Sequence, residues 1–294
     1  MLHDIIDAIV QAVIQGLTEF LPISSSGHLN LYAHLTGKSA DETTFMLVIV
    51  HLGTLVAVFI AFWDTILGLL KELGSIFKDI FSGKFTLKDT ATRTPERNMI
   101  YMLIVSLVLL VPFYPLKSLF EKAGTNFIAL GCFFLYTSFI LFMSDRVPKK
   151  KLKKDAGDIT LKDAIVIGLF QAGALFPGIS RSGSTICGGL FRGLKRETAV
   201  RYSFILGIPT ILAGCLLELK DAISTGLDIQ IVPVLIALVV SAVVGVLAIK
   251  LVDMLINNSQ FKIFAVYTLV LGLCVITCGI IEQVTGMNIV QYLS

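Results

Sequence analysis

The sequence predicts an all-α polytopic membrane protein with six transmembrane helices plus two re-entrant helical hairpins, arranged as an inverted-topology repeat. Three observations predict it. First, the 294 residues are 55% hydrophobic and only 15% charged, with a mean hydropathy of +0.84. A soluble domain carries about 25% charged residues, and the long continuous apolar runs differ from the short alternating segments of a transmembrane barrel. Second, one polar stretch occurs twice. Gln15–His28 reads Q-G-L-T-E-F-L-P-I-S-S-S-G-H, and at a constant offset of 156 its Gln15, Phe20, Ile23, Ser24, Ser26 and Gly27 match Gln171, Phe176, Ile179, Ser180, Ser182 and Gly183. Third, the basic residues are distributed unevenly between the two sides that this topology defines.

Taken in order, residues 5–21 are apolar but short for a crossing, which needs about 20 residues. They stop at Pro22 and three serines, and a second short helix over about 27–36 returns. This predicts a re-entrant hairpin over 5–36 with its turn at mid-depth. Non-helical backbone is tolerated there only against protein or a wet cavity. Spans follow at about 45–69, 98–116 and 126–143, completing a first repeat over 1–145. A basic linker, 146–162, is expected to be a solvated topology anchor. The second repeat, 163–294, opens with a hairpin over 163–191, its helices (163–177 and 184–191) flanking P-G-I-S-R-S-G-S. Spans at about 202–219, 230–251 and 262–282 close it. A hairpin returns to its own side and three crossings change side, so the halves are inverted relative to each other.

Charge tests that topology. With the 70–97 loop inside, its six basic residues include Lys71, Lys78, Lys84, Lys88 and Arg97. The other loops on that side hold seven, four and two, nineteen in all, against Lys38, Lys117, Lys122 and Lys220 outside. The asymmetry obeys the positive-inside rule with both termini outward. A net charge of +3 distributed by sidedness gives no footprint for nucleic acid. The start M-L-H-D-I-I-D lacks a basic n-region and a cleavage site, which predicts no removable signal peptide. The five cysteines lie in apolar stretches and read as packing residues.

Polar side chains in such a setting are costly and mark function. Gln15 and Glu19 are four apart and share a helix face. Ser24, Ser25 and Ser26 precede a helix near Gly27; Ser24 or Ser26 suits its N-cap, and the helix N-terminus favours phosphate. His28 can move protons near neutral pH. Arg181 lies between Ser180 and Ser182, flanked by Gly178 and Gly183, with Thr185 one turn on. A guanidinium grips phosphate through two parallel hydrogen bonds, and glycines let backbone N–H groups approach the same oxygens. The alternative for Arg181 is a structural ion pair with Glu19. If the two turns meet, they assemble a nucleophile, an acid/base group and an anion clamp. A site inside a bilayer points to a phosphorylated lipid whose tail stays in the membrane.

These residues resemble the undecaprenyl-pyrophosphate phosphatase family of the BacA/UppP type. Its signatures are [E/Q]-x-x-x-E followed by F-L-P-x-S-S-x-G-H, and P-G-x-S-R-S-x-x-T. Here they stand as Gln15–Glu19 with F-L-P-I-S-S-S-G-H, and as Pro177–Thr185. The resemblance covers essentially the whole chain. It implies hydrolysis of undecaprenyl pyrophosphate to undecaprenyl phosphate and inorganic phosphate, recycling a carrier for bacterial cell-wall synthesis, with a link to bacitracin resistance. It implies Ser25 as nucleophile, with His28 as general base or acid and as the rival nucleophile. Glu19 would orient groups or, with Gln15, bind a divalent cation, Mg or Ca. Arg181, Ser180, Ser182, Thr185, Gly178, Gly183, Ser24 and Ser26 would hold the pyrophosphate. Gln15 stands where many members have Glu, so the first signature position brings no charge. The expected location is the bacterial plasma membrane with the site facing outward. The expected partners are the polyprenyl pyrophosphate substrate and membrane lipids, and a homodimer is admitted. The rival reading is a polyprenyl-phosphate lipid transporter, or flippase, using the same inverted-repeat site.

Overall fold

A computed structural model describes residues 2–38, 40–83, 93–225, 230–257 and 261–286. Lys84 and Lys88 of the predicted basic loop lie outside the described residues. Within them every regular element is helical. Five helical stretches are long and apolar enough to cross a membrane, or six if one sharply bent pair counts as a single span.

The first hairpin is α1 (Leu2–Thr18) and α2 (Ser25–Thr36). Ser24 caps α2, and Gly37 ends it in the left-handed conformation that glycine adopts without strain. Next come α3 (Ala40–Ala61) and α4 (Trp63–Phe81), which meet at an 87° bend. The predicted span over 45–69 therefore stops at Ala61. The chain then turns to present an amphipathic helix. On α4, Ile66 and Ile76 face inward, while Trp63, Leu70, Phe77 and Phe81 are 54%, 55%, 53% and 89% exposed. These four recur at helical spacing along one stripe. Lysines and carboxylates occupy the remaining face, the pattern of a helix lying in the membrane interface. Helix α5 (Pro95–Val108) clamps α4 from beside it. Arg97 donates to Glu72 at 2.5 Å, Ser75 at 3.1 Å and Asp79 at 2.8 Å.

Thr94 caps α5, with Pro95 in the first turn where its missing N–H costs nothing. The predicted span at 98–116 is not one α-helix. Pro112 and Pro115 fall in a 3₁₀ stretch, Val111–Leu116, because proline cannot continue the α ladder. Short α6 (Lys117–Thr125) and the full-length α7 (Phe127–Asp145) complete this half. The second half holds α8 (Leu161–Gly173), α9 (Arg181–Phe191), α10 (Arg196–Thr225), α11 (Ile231–Asn257) and α12 (Phe261–Thr285).

Most of the basic linker is exposed, and its backbone is tied to the second half of the chain. Lys153 and Lys154 donate backbone N–H groups to Gly193, and Lys195 donates back to the carbonyl of Lys154. Asn98 of α5 donates to the carbonyls of Ala156, Gly157 and Ile159. Unpaired carbonyls in a folded-back loop would be costly, and these bonds satisfy them.

Both hairpins are fastened at their feet by an aspartate near the start of the first helix. Asp7 receives Gln11 at 2.7 Å and pairs with Lys38 and Tyr32. Asp163 sits 156 residues later and takes Lys154 at 2.7 Å and Arg192 at 2.8 Å. The cation closing each foot lies just beyond the second helix, so the ion pair ties the two ends of the hairpin together.

The halves interlock. Helix α7 packs along α12, α3 against α10 and α11, α1 on α11, and α8 on α5. Each hairpin's first helix thus lies on the second long helix of the opposite half. The main core joins Phe20 and Ile23 of the first turn to Ile186, Leu190, Phe204 and Leu206 of the second half. Phe20 and Phe62 both meet Phe204 edge-on, with ring centroids 5.3 Å and 5.8 Å away.

Candidate active site

The two turns are in direct contact. Ser24 adopts a positive φ of 74°, unusual for a residue with a side chain. That conformation aims its hydroxyl at two backbone donors, Gly27 of its own turn at 3.4 Å and Gly178 of the other turn at 3.1 Å. Gly178 has φ +95°, which only glycine tolerates readily. On the opposite side, Ser182 Oγ reaches the carbonyl of Leu21 at 3.5 Å. One serine from each turn therefore binds the backbone of the other.

Glu19 is the hub. Its side chain is almost fully buried. One carboxylate oxygen receives Arg181 Nη2 at 2.5 Å. The other receives the Ser25 hydroxyl at 2.6 Å and the Gln15 amide at 3.1 Å. A carboxylate held by charged and neutral donors in this way is stabilised as the anion. Arg181 also donates Nη1 to the carbonyl of Ser203 at 3.2 Å. Its guanidinium lies so close to Gly207 of α10 that a Cβ there would collide with it. The ion pair weighed from the sequence is thus present, and it crosses between the halves. The adjoining cavity is bounded by Thr18, Glu19, Ser24, Ser25, Ser26 and Arg181, with Ile179 and Ser180 behind them. Its volume of about 40 Å³ holds about three waters.

The remaining candidates sit close by in different settings. Ser180 caps α9 by accepting the Gly183 N–H at 3.1 Å, which places the α9 N-terminus against the cavity. Ser182 contacts Ser180 at 3.3 Å. Thr185 bonds to the Ser203 hydroxyl at 2.6 Å and to the Arg181 carbonyl at 2.9 Å, so it braces the start of α9. Ser26 is exposed beside the opening, 3.4 Å from Ser24.

His28 differs from expectation. Among the described residues it makes no hydrogen bond to Ser25. Its Nδ1–H donates to the Ser24 carbonyl at 2.6 Å, and its Nε2 accepts from Tyr267 of α12 at 2.7 Å. The imidazole lies parallel to the Tyr267 ring, with centroids 5.7 Å apart. The strained turn twists the start of α2 so that Ser25 faces Glu19 while His28 faces α12.

Sequence reasoning missed four contributors. Thr137 of α7, fully buried, donates to Gly178 and accepts from the Ser180 N–H at 3.1 Å, fixing the second turn. Ser203 and Gly207 position Arg181, and Tyr267 positions His28. Buried hydroxyls at Thr137 and Ser203, within apolar spans, were the available signal. Gly207 and Tyr267 had none.

The residues give limited support to a resident cation. No group of three His, Cys, Asp or Glu side chains converges among the described residues. Both Glu19 oxygens are engaged by donors, one of them a guanidinium, and Gln15 Oε1, on the side chain that donates to Glu19, is a buried oxygen without a partner. One carboxylate and one amide do not build the oxygen cage that Mg or Ca requires.

Residues 8–274 match the family model described as "Bacitracin resistance protein BacA". The chain belongs to the BacA family. A relative from Methanosphaera stadtmanae named undecaprenyl-diphosphatase is 38% identical, over 95% of this chain and 99% of its own. A relative of the same name from Alkaliphilus metalliredigens is 36% identical over 92% and 96%. One from Corynebacterium glutamicum is 37% identical over 92% and 89%. The similarity thus spans both hairpins and all the long helices except the start of α1 and the end of α12. In this BacA-family chain, Glu19, Ser25 and Arg181 all fall inside the matched range.

Proposed function

We propose that this chain is an undecaprenyl-diphosphatase that releases inorganic phosphate from undecaprenyl pyrophosphate and regenerates the monophosphate carrier. The observation that carries the reading is the Ser25–Glu19–Arg181 chain, with 2.6 Å and 2.5 Å contacts on opposite oxygens of one buried carboxylate. It provides a hydroxyl with a base in contact and a guanidinium beside the same point.

In this reading Ser25 Oγ attacks the terminal phosphorus and Glu19 takes its proton. The bond to the bridging oxygen breaks, and polyprenyl phosphate leaves with the electron pair and the proton from Glu19. Water then attacks the phosphoserine, Glu19 accepts the water's proton and passes it to Ser25 Oγ as the P–O bond breaks, and inorganic phosphate departs with the serine hydroxyl restored. Arg181 transfers one of its bonds from Glu19 to phosphate oxygens, where negative charge accumulates. The α9 N-terminus adds partial positive charge. His28, held by Ser24 and Tyr267, acts as a brace for the Ser24 turn. Gln15 Oε1 would be the protein oxygen open to an Mg or Ca ion, which would screen charge on the pyrophosphate; no step depends on it.

The flippase alternative is less favoured by the packing. Phe20, next to Glu19 in the chain, packs edge-on against Phe204, which in turn meets Phe62 at the wall of the cavity on the other face, an aromatic barrier between the two. The positive-inside asymmetry supports an outward-facing site and outward termini in a plasma membrane. The opposed packing of α1 on α11 and α8 on α5 supports the two-repeat organisation.

The test is phosphate release from undecaprenyl pyrophosphate by purified protein in detergent, without any gradient. Ser25→Ala and Arg181→Ala should each lower kcat/KM by at least about 10³-fold. Intact release in both variants overturns the assignment. Acid quench should trap phosphoserine; trapped phosphohistidine would make His28 the nucleophile.

A further inference from the structure

On the face of the molecule that carries the basic linker lies a second, larger cavity of about 640 Å³. It opens where α3 ends, between the start of α10 and the end of α11. Phe62 forms its inner wall, and Asp64, Glu197, Arg201, Lys250 and Asp253 supply three carboxylates and two cations. All five of these charged residues are exposed into it. Among the described residues no salt bridge joins any two of them. A cleft that presents both signs, its charges not paired with one another, is electrostatically complementary to a ligand that also carries both signs.

A groove of about 450 Å³ lined by Val56, Phe59, Ile60 and Trp63 adjoins this cavity. Ile60 lines both spaces. The groove runs along the exposed last turns of α3, and the charged cleft sits at the bend into α4. With α4 read as an interfacial helix, that level corresponds to headgroup depth, where tryptophan also concentrates. A charged cleft at headgroup depth, continuous with an apolar channel toward the bilayer centre, has the outline of a single lipid molecule.

We propose that this cleft binds a zwitterionic phospholipid with a primary amine, its phosphate between Arg201 and Lys250, its ammonium among Asp64, Glu197 and Asp253, and one chain along the Val56–Trp63 groove. The excess of carboxylates opposes a headgroup that is only anionic. A quaternary ammonium would leave those carboxylates without hydrogen bonds, because it has no N–H to donate. The site is distinct from the catalytic pocket, and only the folding control of its test rests on the reaction assigned there.

The test is competitive lipid retention by the purified full chain, read by native mass spectrometry after exchange into equal amounts of phosphatidylethanolamine, phosphatidylglycerol and phosphatidylcholine. Phosphatidylethanolamine should be retained at least several-fold over each of the others. Glu197→Gln with Asp253→Asn should reverse the preference toward phosphatidylglycerol. Val56→Trp, which fills the groove at a position that does not line the charged cleft, should lower retention of all three. Phosphate release by each variant reports that it is folded, since none of these residues contacts the catalytic pocket. Equal retention of the three lipids overturns the proposal. So does preferred retention of phosphatidylglycerol by the unmodified chain, or an unchanged preference in the carboxylate variant while phosphate release persists.

Discussion

At the residue scale the site depends on side chains that hold other side chains. Arg181 reaches Glu19 because Gly207 leaves room for its guanidinium and Ser203 accepts its second bond. Gly207→Ala should displace the guanidinium by about an ångström, and misplacement of that size costs up to about 10²-fold in rate. The measurement is kcat/KM for phosphate release, with Gly214→Ala as control. A Cβ at Gly214 of the same helix meets nothing, so both variants share any general effect on α10. Equal rates for the two would remove Gly207 from the account. The chemistry-bearing residues were legible because carboxylate, guanidinium and clustered hydroxyls stand out in an apolar chain. Their supports were not. A glycine or tyrosine within a transmembrane run carries no local mark of what it faces, since that is decided by which helix packs beside it. The direction of His28 was equally hidden, because it follows from the positive φ of Ser24 rather than from spacing.

At the scale of elements, the hairpins were legible from short apolar runs ending in polar turns, whereas the bend after Ala61 was not. No proline or glycine marks Phe62, and the apolar run continues past it, broken only by Asp64 and Thr65. What turns the chain is the amphipathic pattern of α4 together with Arg97 of α5, neither of which a hydropathy window separates from a span. Helix α4 should therefore lie in the membrane plane. Spin labels at Leu70→Cys, Phe77→Cys and Phe81→Cys should report similar depths by power saturation. A straight continuation would separate the first and last by about 16 Å at 1.5 Å per residue. The hairpin feet make a second prediction. Asp163 is wholly buried, while its partners Lys154 and Arg192 are 31% and 36% exposed. Asp163→Asn removes the charge common to both pairs and weakens the hairpin by about 1–3 kcal/mol, less than a fully buried pair because solvent screens the cations. Thermal unfolding in detergent should show the lower midpoint, and an unchanged midpoint would make the clasp energetically neutral.

At the scale of the whole molecule, the sequence repeat implies two related halves but does not state how they associate. The packing supplies that: each hairpin rests on the other half's long helix, and the Glu19–Arg181 ion pair joins the two turns. Neither half holds the site alone, because Ser25 and Glu19 come from one and Arg181 from the other. The same arrangement sets a sidedness that can be measured. Ser26 lies exposed at the mouth of the small cavity, whereas Asp253 lies in the charged cleft on the opposite side of the Phe20–Phe204–Phe62 barrier. In a background with the five native cysteines replaced, Ser26→Cys should react with a membrane-impermeant maleimide added outside intact cells. Asp253→Cys should react only after permeabilisation. A pyrophosphate-bearing lipid analogue should protect Ser26→Cys and leave Asp253→Cys unaffected, since the aromatic barrier separates their cavities. Labelling of both from outside would mean that the barrier opens during the cycle, which would favour transport over hydrolysis alone. Labelling in the reverse order would invert the orientation that the basic residues imply.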